Sequence, residues 1–268
     1  MVERPEHLHV RWKLKNKYIN WETTRGEDLL DSDYKGWLGS DYSLEFDGEK
    51  EVRSLACFDR GGIKKATGDI NGAIEDFSES IEINSKHASA YFQRAFAKDL
   101  LENFNGAVED YTKAIELDSK DVLAYFNRGL AKNKLKNIEG AIEDFNKVIE
   151  LNPEHIDAYL SRGFNKNLLE DFKGANEDYS RVIKLRPNDA DAYYGRGHAR
   201  YALENFSGAV EDCSKAIEIK PTANTYVLRG AAKHALGDDK GAIKDYSKSG
   251  ELGYKDADKL IEIVQEKE

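Results

Sequence analysis

The chain has little proline, four residues in 268, and only two cysteines and one methionine. So few prolines leave room for long uninterrupted helices. Two cysteines, Cys57 and Cys213, cannot build a disulfide framework, and both fall at core-type helical positions, so reduced and buried thiols are expected. No run approaches about 18 consecutive apolar residues, which leaves nothing to span a membrane. The opening residues, Met1 to His9, carry no apolar stretch of a secretion signal, so a soluble cytoplasmic protein is expected. A surplus of positive charge is also missing. Forty Lys and Arg stand against fifty Asp and Glu, a net charge of −10, which gives no electrostatic basis for binding a nucleic-acid backbone.

Internal repetition dominates what is present. The phrase Gly72-Ala73-Ile74-Glu75-Asp76-Phe77 returns at Gly106, Gly140, Gly174 and Gly208 in steps of 34 residues, and at Gly241 after 33. The shortening lies near Pro221-Thr222-Ala223. A second phrase keeps the same register: Arg60, Arg94, Arg128, Arg162, Arg196 and Arg229, each followed by Gly or Ala, sit 12 residues before each repeat Gly. Each unit reads as two helices, for example Val122 to Leu135 and Glu139 to Leu151, joined by turn residues such as Lys136-Asn137. Pro153, Pro187 and Pro221 follow the second helix and stop it. Gly129 and Ala141 are small where the two helices of a pair must cross closely.

The 34-residue period, the aromatic–x₃–Gly pattern of Tyr125 and Gly129, the small–x₃–aromatic pattern of Ala141 and Phe145 and the closing Pro153 resemble the tetratricopeptide repeat. The resemblance runs from about Ser54 to Asp256 in six copies, at 54–87, 88–121, 122–155, 156–189, 190–222 and 223–256. It implies an all-α, right-handed superhelical solenoid of helix-turn-helix repeats. Residues 1–53 are then an N-terminal extension or cap, and 257–268 a capping helix with Ala257, Leu260, Ile261 and Val264 on one face. The sequence departs from the family pattern in several places. Arg stands before the first-helix Gly in every copy. Ser85 and Ser119 replace Pro, Asn176 replaces an aliphatic residue, and Asp239 replaces an aromatic. Phrases such as Asp-Tyr-Ser-Lys look like bacterial members.

The segment before the repeats holds all three tryptophans, Trp12, Trp21 and Trp37. The stretch His9 to Leu14 alternates weakly and reads as extended, and Glu27 to Tyr34 as a short helix. The segment is read as a cap packed on the first repeat, or as a self-ligand or partner-binding arm.

Catalytic chemistry finds no foothold. No phosphate-binding Gly-rich loop, Gly-x-Ser-x-Gly or His-Glu-x-x-His occurs. His7-x-His9 is the only close histidine pair, and Asp69-Ile70-Asn71-Gly72 lacks the remaining spacing of a calcium loop. Asn205-Phe206-Ser207 is a formal glycosylation sequon inside a repeat turn. No cofactor, metal or catalytic residue is expected.

One charge pattern recurs per unit: the six arginines, a basic residue four later (Lys64, Lys98, Lys132, Lys166, Arg200, Lys233), and Asp76, Asp110, Asp144, Asp178, Asp212 and Asp245 in the second helix. Arg–Asp pairs that link the two helices of a repeat, or adjacent repeats, are expected, because a half-buried Arg needs a partner.

The resemblance implies that the first helix of each pair lines a concave face. Ligands contact the family's second, fifth, sixth, ninth, twelfth and thirteenth positions. The fifth holds Phe58, Phe92, Phe126, Leu160, Tyr194 and Val227, and the ninth Phe96, Leu130, Phe164 and His198 among others. Gln93 and Asn127 at the sixth and Asn133, Asn167 and Tyr201 at the twelfth complete the expected site. The fifth and ninth positions are read as an exposed apolar strip opposite the face that packs on the second helix, flanked by amides that could bind a peptide backbone. The successive Lys and Asn that grip a terminal carboxylate in some members are missing apart from Asn127. The expected function is a non-catalytic scaffold that binds a peptide or partner helix through apolar anchors. The alternative is a structural solenoid that self-associates through its N-terminal segment or its ends.

Overall fold

The computed structural model describes residues 11–14, 17–20 and 46–266. The chain divides into two compact units, Met1–Glu49 and Lys50–Glu268. In the first, strands β1 (Arg11–Leu14) and β2 (Lys17–Asn20) pair antiparallel, Arg11 opposite Asn20 and Leu14 opposite Lys17. This agrees with the extended reading over residues 11–14. The helix expected over Glu27 to Tyr34 lies outside the described residues, as do Trp21 and Trp37.

The second unit is a series of helix pairs: α1 (Phe46–Ala66) with α2 (Ile70–Ile83), α3 (Ala88–Leu100) with α4 (Phe104–Leu117), α5 (Val122–Lys134) with α6 (Ile138–Leu151). Then follow α7 (Ile156–Leu168) with α8 (Phe172–Leu185), α9 (Ala190–Ala202) with α10 (Phe206–Ile219), α11 (Ala223–Ala235) with α12 (Asp239–Glu251), and the single α13 (Ala257–Gln265). The first member of each pair is called helix A and the second helix B. Helix α1 begins eight residues ahead of the repeat register, about two turns early. Each helix packs on its neighbours in sequence, α1 on α2 through Phe58–Phe77 and Arg60–Asp76, so this unit is an all-α solenoid.

Local chemistry sets the ends of these helices. Asp69, Asn103, Asn137, Asp171, Asn205 and Asp238 N-cap the six helices B, each side chain accepting from the N–H of the repeat Gly three residues on. A Cβ on the recurring Gly would crowd the cap side chain, most closely at Gly72, Gly174 and Gly241. Asp69 and Asn205 are therefore caps. The turn between helices A and B needs one residue at positive φ. Gly68 and Gly237 supply it in the first and sixth pairs, while Glu102, Lys136, Glu170 and Glu204 adopt φ of 59° to 61° in the others.

The core is built once per unit. Ala73, Ala107, Ala141, Ala175, Ala209 and Ala242 are fully buried, and one turn later lie the buried Phe77, Tyr111, Phe145, Tyr179, Cys213 and Tyr246. Helix A answers with a small residue: a Cβ on Gly129 would approach the Phe145 ring to 2.8 Å. Cys57 and Cys213 are free, and burial pushes their thiols up to about 11 and about 12, so both stay protonated. At the far end Ala257 and Val264 of α13 are buried, and Val264 clusters with Tyr246. Asp239 does not leave a bare end; it bonds the imidazole of His234.

The charge pattern becomes a ladder of buried ion pairs. Arg128 donates through Nε and Nη2 to the two carboxylate oxygens of Asp144 at 3.0 and 2.6 Å, and Lys132 adds a third contact at 2.9 Å. Arg128 Nη1 reaches back to Thr112 of the preceding pair at 3.1 Å. Arg94, Arg162, Arg196 and Arg229 do the same with Ser78, Asn146, Ser180 and Ser214. The guanidinium also lies over a ring one turn earlier on helix A, as Arg128 over Tyr125 at 5.5 Å. Each arginine thus ties its own two helices together and ties its pair to the one before. Arg60 has no preceding pair and turns to Glu79 instead. Burial alone would raise the Asp76 carboxyl, but hydrogen bonds from Arg60 and Lys64 outweigh it and hold it below the ordinary value.

Relief of the A–B turn is a direct check on this local reading. Lys136→Gly is expected to gain about 0.5–1 kcal/mol in urea denaturation, because glycine takes the left-handed conformation without a Cβ penalty. An unchanged or lower midpoint would show that the turn carries no strain.

Candidate functional site

Successive helices A touch one another, α3 with α5, α7 with α9 and α9 with α11, and no comparable contact joins successive helices B. Helices A therefore take the inner side of the curve. Along each of them the second, sixth, ninth and thirteenth positions are three or four residues apart and share one stripe.

On the middle helices that stripe carries exposed apolar side chains among polar ones such as Lys134 and Asp157. Phe164 and Leu168 on α7 are 57% and 54% exposed, Leu123 on α5 is 58% exposed, and Leu100 on α3 is 52% exposed. Phe96 and Leu130 extend the row, half-buried. Leu100, Leu123 and Leu168 are missing from the residues expected from sequence. They occupy the second and thirteenth positions, so the same register that located Phe164 also points to them.

The fifth-position residues behave differently. Phe58, Phe92, Phe126, Leu160, Tyr194 and Val227 are all half-buried. Phe58 lies 5.7 Å from the Phe77 ring and 4.8 Å from His87, and Phe126 lies 5.8 Å from Phe145 and 4.8 Å from His155. Phe92 meets Tyr111 edge-on at 5.6 Å, and Leu160 packs on the Ala175–Tyr179 cluster. The expectation that this row faces away from helix B therefore fails. The fifth position is three residues before the small eighth residue, which packs on helix B, and so it shares that flank.

The expected amides are largely engaged within the chain. Gln93 accepts from Lys65, whose ammonium lies 4.9 Å from the centre of the Phe96 ring. Asn127 donates to the Leu123 carbonyl at 2.9 Å, Asn133 accepts from Asn165 at 2.8 Å, and Asn167 donates to the Gly195 carbonyl at 3.3 Å. Asn165 is fully buried at a position where α3, α5, α9 and α11 bury alanine. The side-chain oxygens of Asn165, Asn167 and Asn176 are buried without a partner, so the fourth pair carries a polar seam that the others lack. His198 and Tyr201 make ring contacts with Phe172 and Phe206 at 6.1 and 5.4 Å.

Models of the tetratricopeptide repeat and TPR repeat match residues 55–87, 100–135, 122–155, 168–204 and 190–222, together just over half of the chain. The chain belongs to the tetratricopeptide repeat family. Solved structures agree with this. The MamA protein is 25% identical, with a TM-score of 0.61, covering 65% of this chain and 93% of that one. YrrB, described as a TPR protein with an unusual peptide-binding site, is 21% identical with a TM-score of 0.62, covering 71% of this chain and 95% of that one. The pilF protein of Pseudomonas aeruginosa is 17% identical with a TM-score of 0.62, covering 82% of this chain and all (100%) of that one. Comparison with curated protein sequences gives no match.

Within this TPR array the helix-A stripe is interrupted at α9. Gly195 leaves the sixth position of α9 without a side chain, and the Tyr179 ring occupies that space; a Cβ there would overlap it. Burial pushes the Tyr179 phenol well above its usual range. Beside this break, where the repeat is one residue short, a cavity of about 240 Å³ is lined by Asp191, Tyr194, Lys220, Thr222 and Thr225. Gly195→Ala is expected to cost about 1–3 kcal/mol in urea denaturation by displacing the Tyr179 ring, with a matching loss of near-ultraviolet circular dichroism. Full retention of both signals would show that the ring does not depend on the missing side chain.

Proposed function

We propose that this chain is a non-catalytic protein-interaction scaffold that binds a peptide or partner helix on the inner face of its TPR array. The carrying observation is the exposed apolar row of Leu100, Leu123, Phe164 and Leu168 on adjacent helices A, with Phe96 and Leu130 beside it. Large apolar side chains left open on adjacent helices are characteristic of an interaction surface. The row stands on helices already fixed by the ion-pair ladder, so little order is lost on binding. The description of YrrB as holding a peptide-binding site supports the same reading. The fifth-position residues shape the wall of this surface and contribute their outer edges. No described helix is long and apolar enough to cross a membrane, and a cytoplasmic setting is part of the proposal.

A second reading, self-association through the ends, has one observation in its favour. Ile63 is 66% exposed at the position where α3, α5, α9 and α11 bury alanine. Sedimentation across a concentration series separates the two readings.

Substitution at the exposed residues is the informative test, because Phe92 or Phe126 variants would also disturb packing on helix B. Phe164→Ser with Leu168→Ser is expected to leave helicity unchanged and to remove partners captured by the wild-type chain. Partners retained by this variant would place the site elsewhere.

A further inference from the structure

The ladder has a consequence for the charge of the inner face. All six helix-A arginines, and the basic residue four positions after each, are bound to helix-B aspartates. Most helix-A cations are therefore neutralised inside the solenoid. What remains on these helices beside the apolar row is mostly acidic. Asp157 and Asp191 are exposed at the second position of α7 and α9, Asp59 is exposed at the sixth position of α1, and Asp99 is half-buried between Phe96 and Leu100 in sequence. Asp157 has one long contact, to Arg186 at 3.6 Å, and burial holds the Asp99 carboxyl above its ordinary range. The opposing cations are Lys65, held by Gln93 and the Phe96 ring, the exposed Lys134 near Asp99, Arg186 beside Asp157, and Lys220, which lines the same cavity as Asp191.

We infer that the inner face selects a cationic amphipathic segment, with Leu- or Phe-like side chains for the apolar row and Lys or Arg along its flank to meet Asp99, Asp157 and Asp191. This rests on the inner-face reading above and adds the sign of the partner's charge. Apolar contact supplies the anchoring, and charge complementarity supplies the discrimination between partners. An acidic partner would place like charges against Asp99, Asp157 and Asp191, of which only Asp157 has an ion pair within 4 Å among the described residues.

Two fluorescein-labelled model helices of about 14 residues test this, one of Leu and Lys at amphipathic spacing and one of Leu and Glu. Anisotropy is read with the full chain in about 0.15 M salt. The Leu/Lys helix is expected to bind at least about tenfold more tightly than the Leu/Glu helix. Asp99→Asn with Asp157→Asn is expected to narrow that ratio severalfold without loss of helicity. Phe164→Ser with Leu168→Ser is expected to abolish binding. Equal binding of both helices that is lost in the Phe164→Ser, Leu168→Ser variant would keep the inner-face site and overturn the charge preference. Leu/Lys binding that survives the Phe164→Ser, Leu168→Ser variant would mean attraction to the acidic chain at large and would also overturn it. Binding of neither helix would overturn the apolar site itself.

Discussion

A buried carboxylate in every helix B is the constraint on which the rest of this solenoid depends. Asp110, Asp144, Asp178, Asp212 and Asp245 are no more than 4% exposed, and an isolated charge so placed would be strongly unfavourable. Each is met by a two-pronged arginine and a second cation from the helix A of its own pair. The arginine's remaining nitrogen then bonds a hydroxyl or amide on the pair before. The need to satisfy one charge thereby fixes the angle within a pair and the register between pairs. In a repeat array, where each unit touches only its neighbours, such a link carries the geometry from one unit to the next.

The same constraint shapes the surface. Cations that recur along helix A would, if free, make the inner face basic. Because they point into the ladder, the face retains apolar side chains and a few carboxylates outside the ladder. The tyrosine beneath each arginine after Arg60, namely Tyr91, Tyr125, Tyr159, Tyr193 and Tyr226, is drawn into the ladder as well.

Much of this was legible in the sequence because repetition multiplies every signal. The 34-residue spacing of the Gly and Arg phrases located each helix pair, and the co-recurrence of Arg and Asp named the ladder before any distance was known. What sequence could not supply was direction within a helix. Phe126 and Leu130 are equally apolar and one turn apart, yet Phe126 leans on Phe145 and His155, while the open part of the row is carried by Leu123, Phe164 and Leu168. Pattern alone placed the fifth position on the wrong flank, since the packing partner of a residue is set by the neighbouring helix. The polar seam of Asn165, Asn167 and Asn176 was visible only as an odd Asn176; its buried, unpartnered oxygens follow from how α5, α7, α8 and α9 meet.

The central claim is that Arg and Asp of each rung act as one unit. The measurement that tests it most directly is a double-mutant cycle on Arg128→Met and Asp144→Leu by urea denaturation. Each single substitution strands a buried charge and is expected to lose about 3–5 kcal/mol, while the double substitution, which removes both charges, is expected to lose far less than the sum. Additive losses would contradict the account and reduce the ladder to incidental surface pairing.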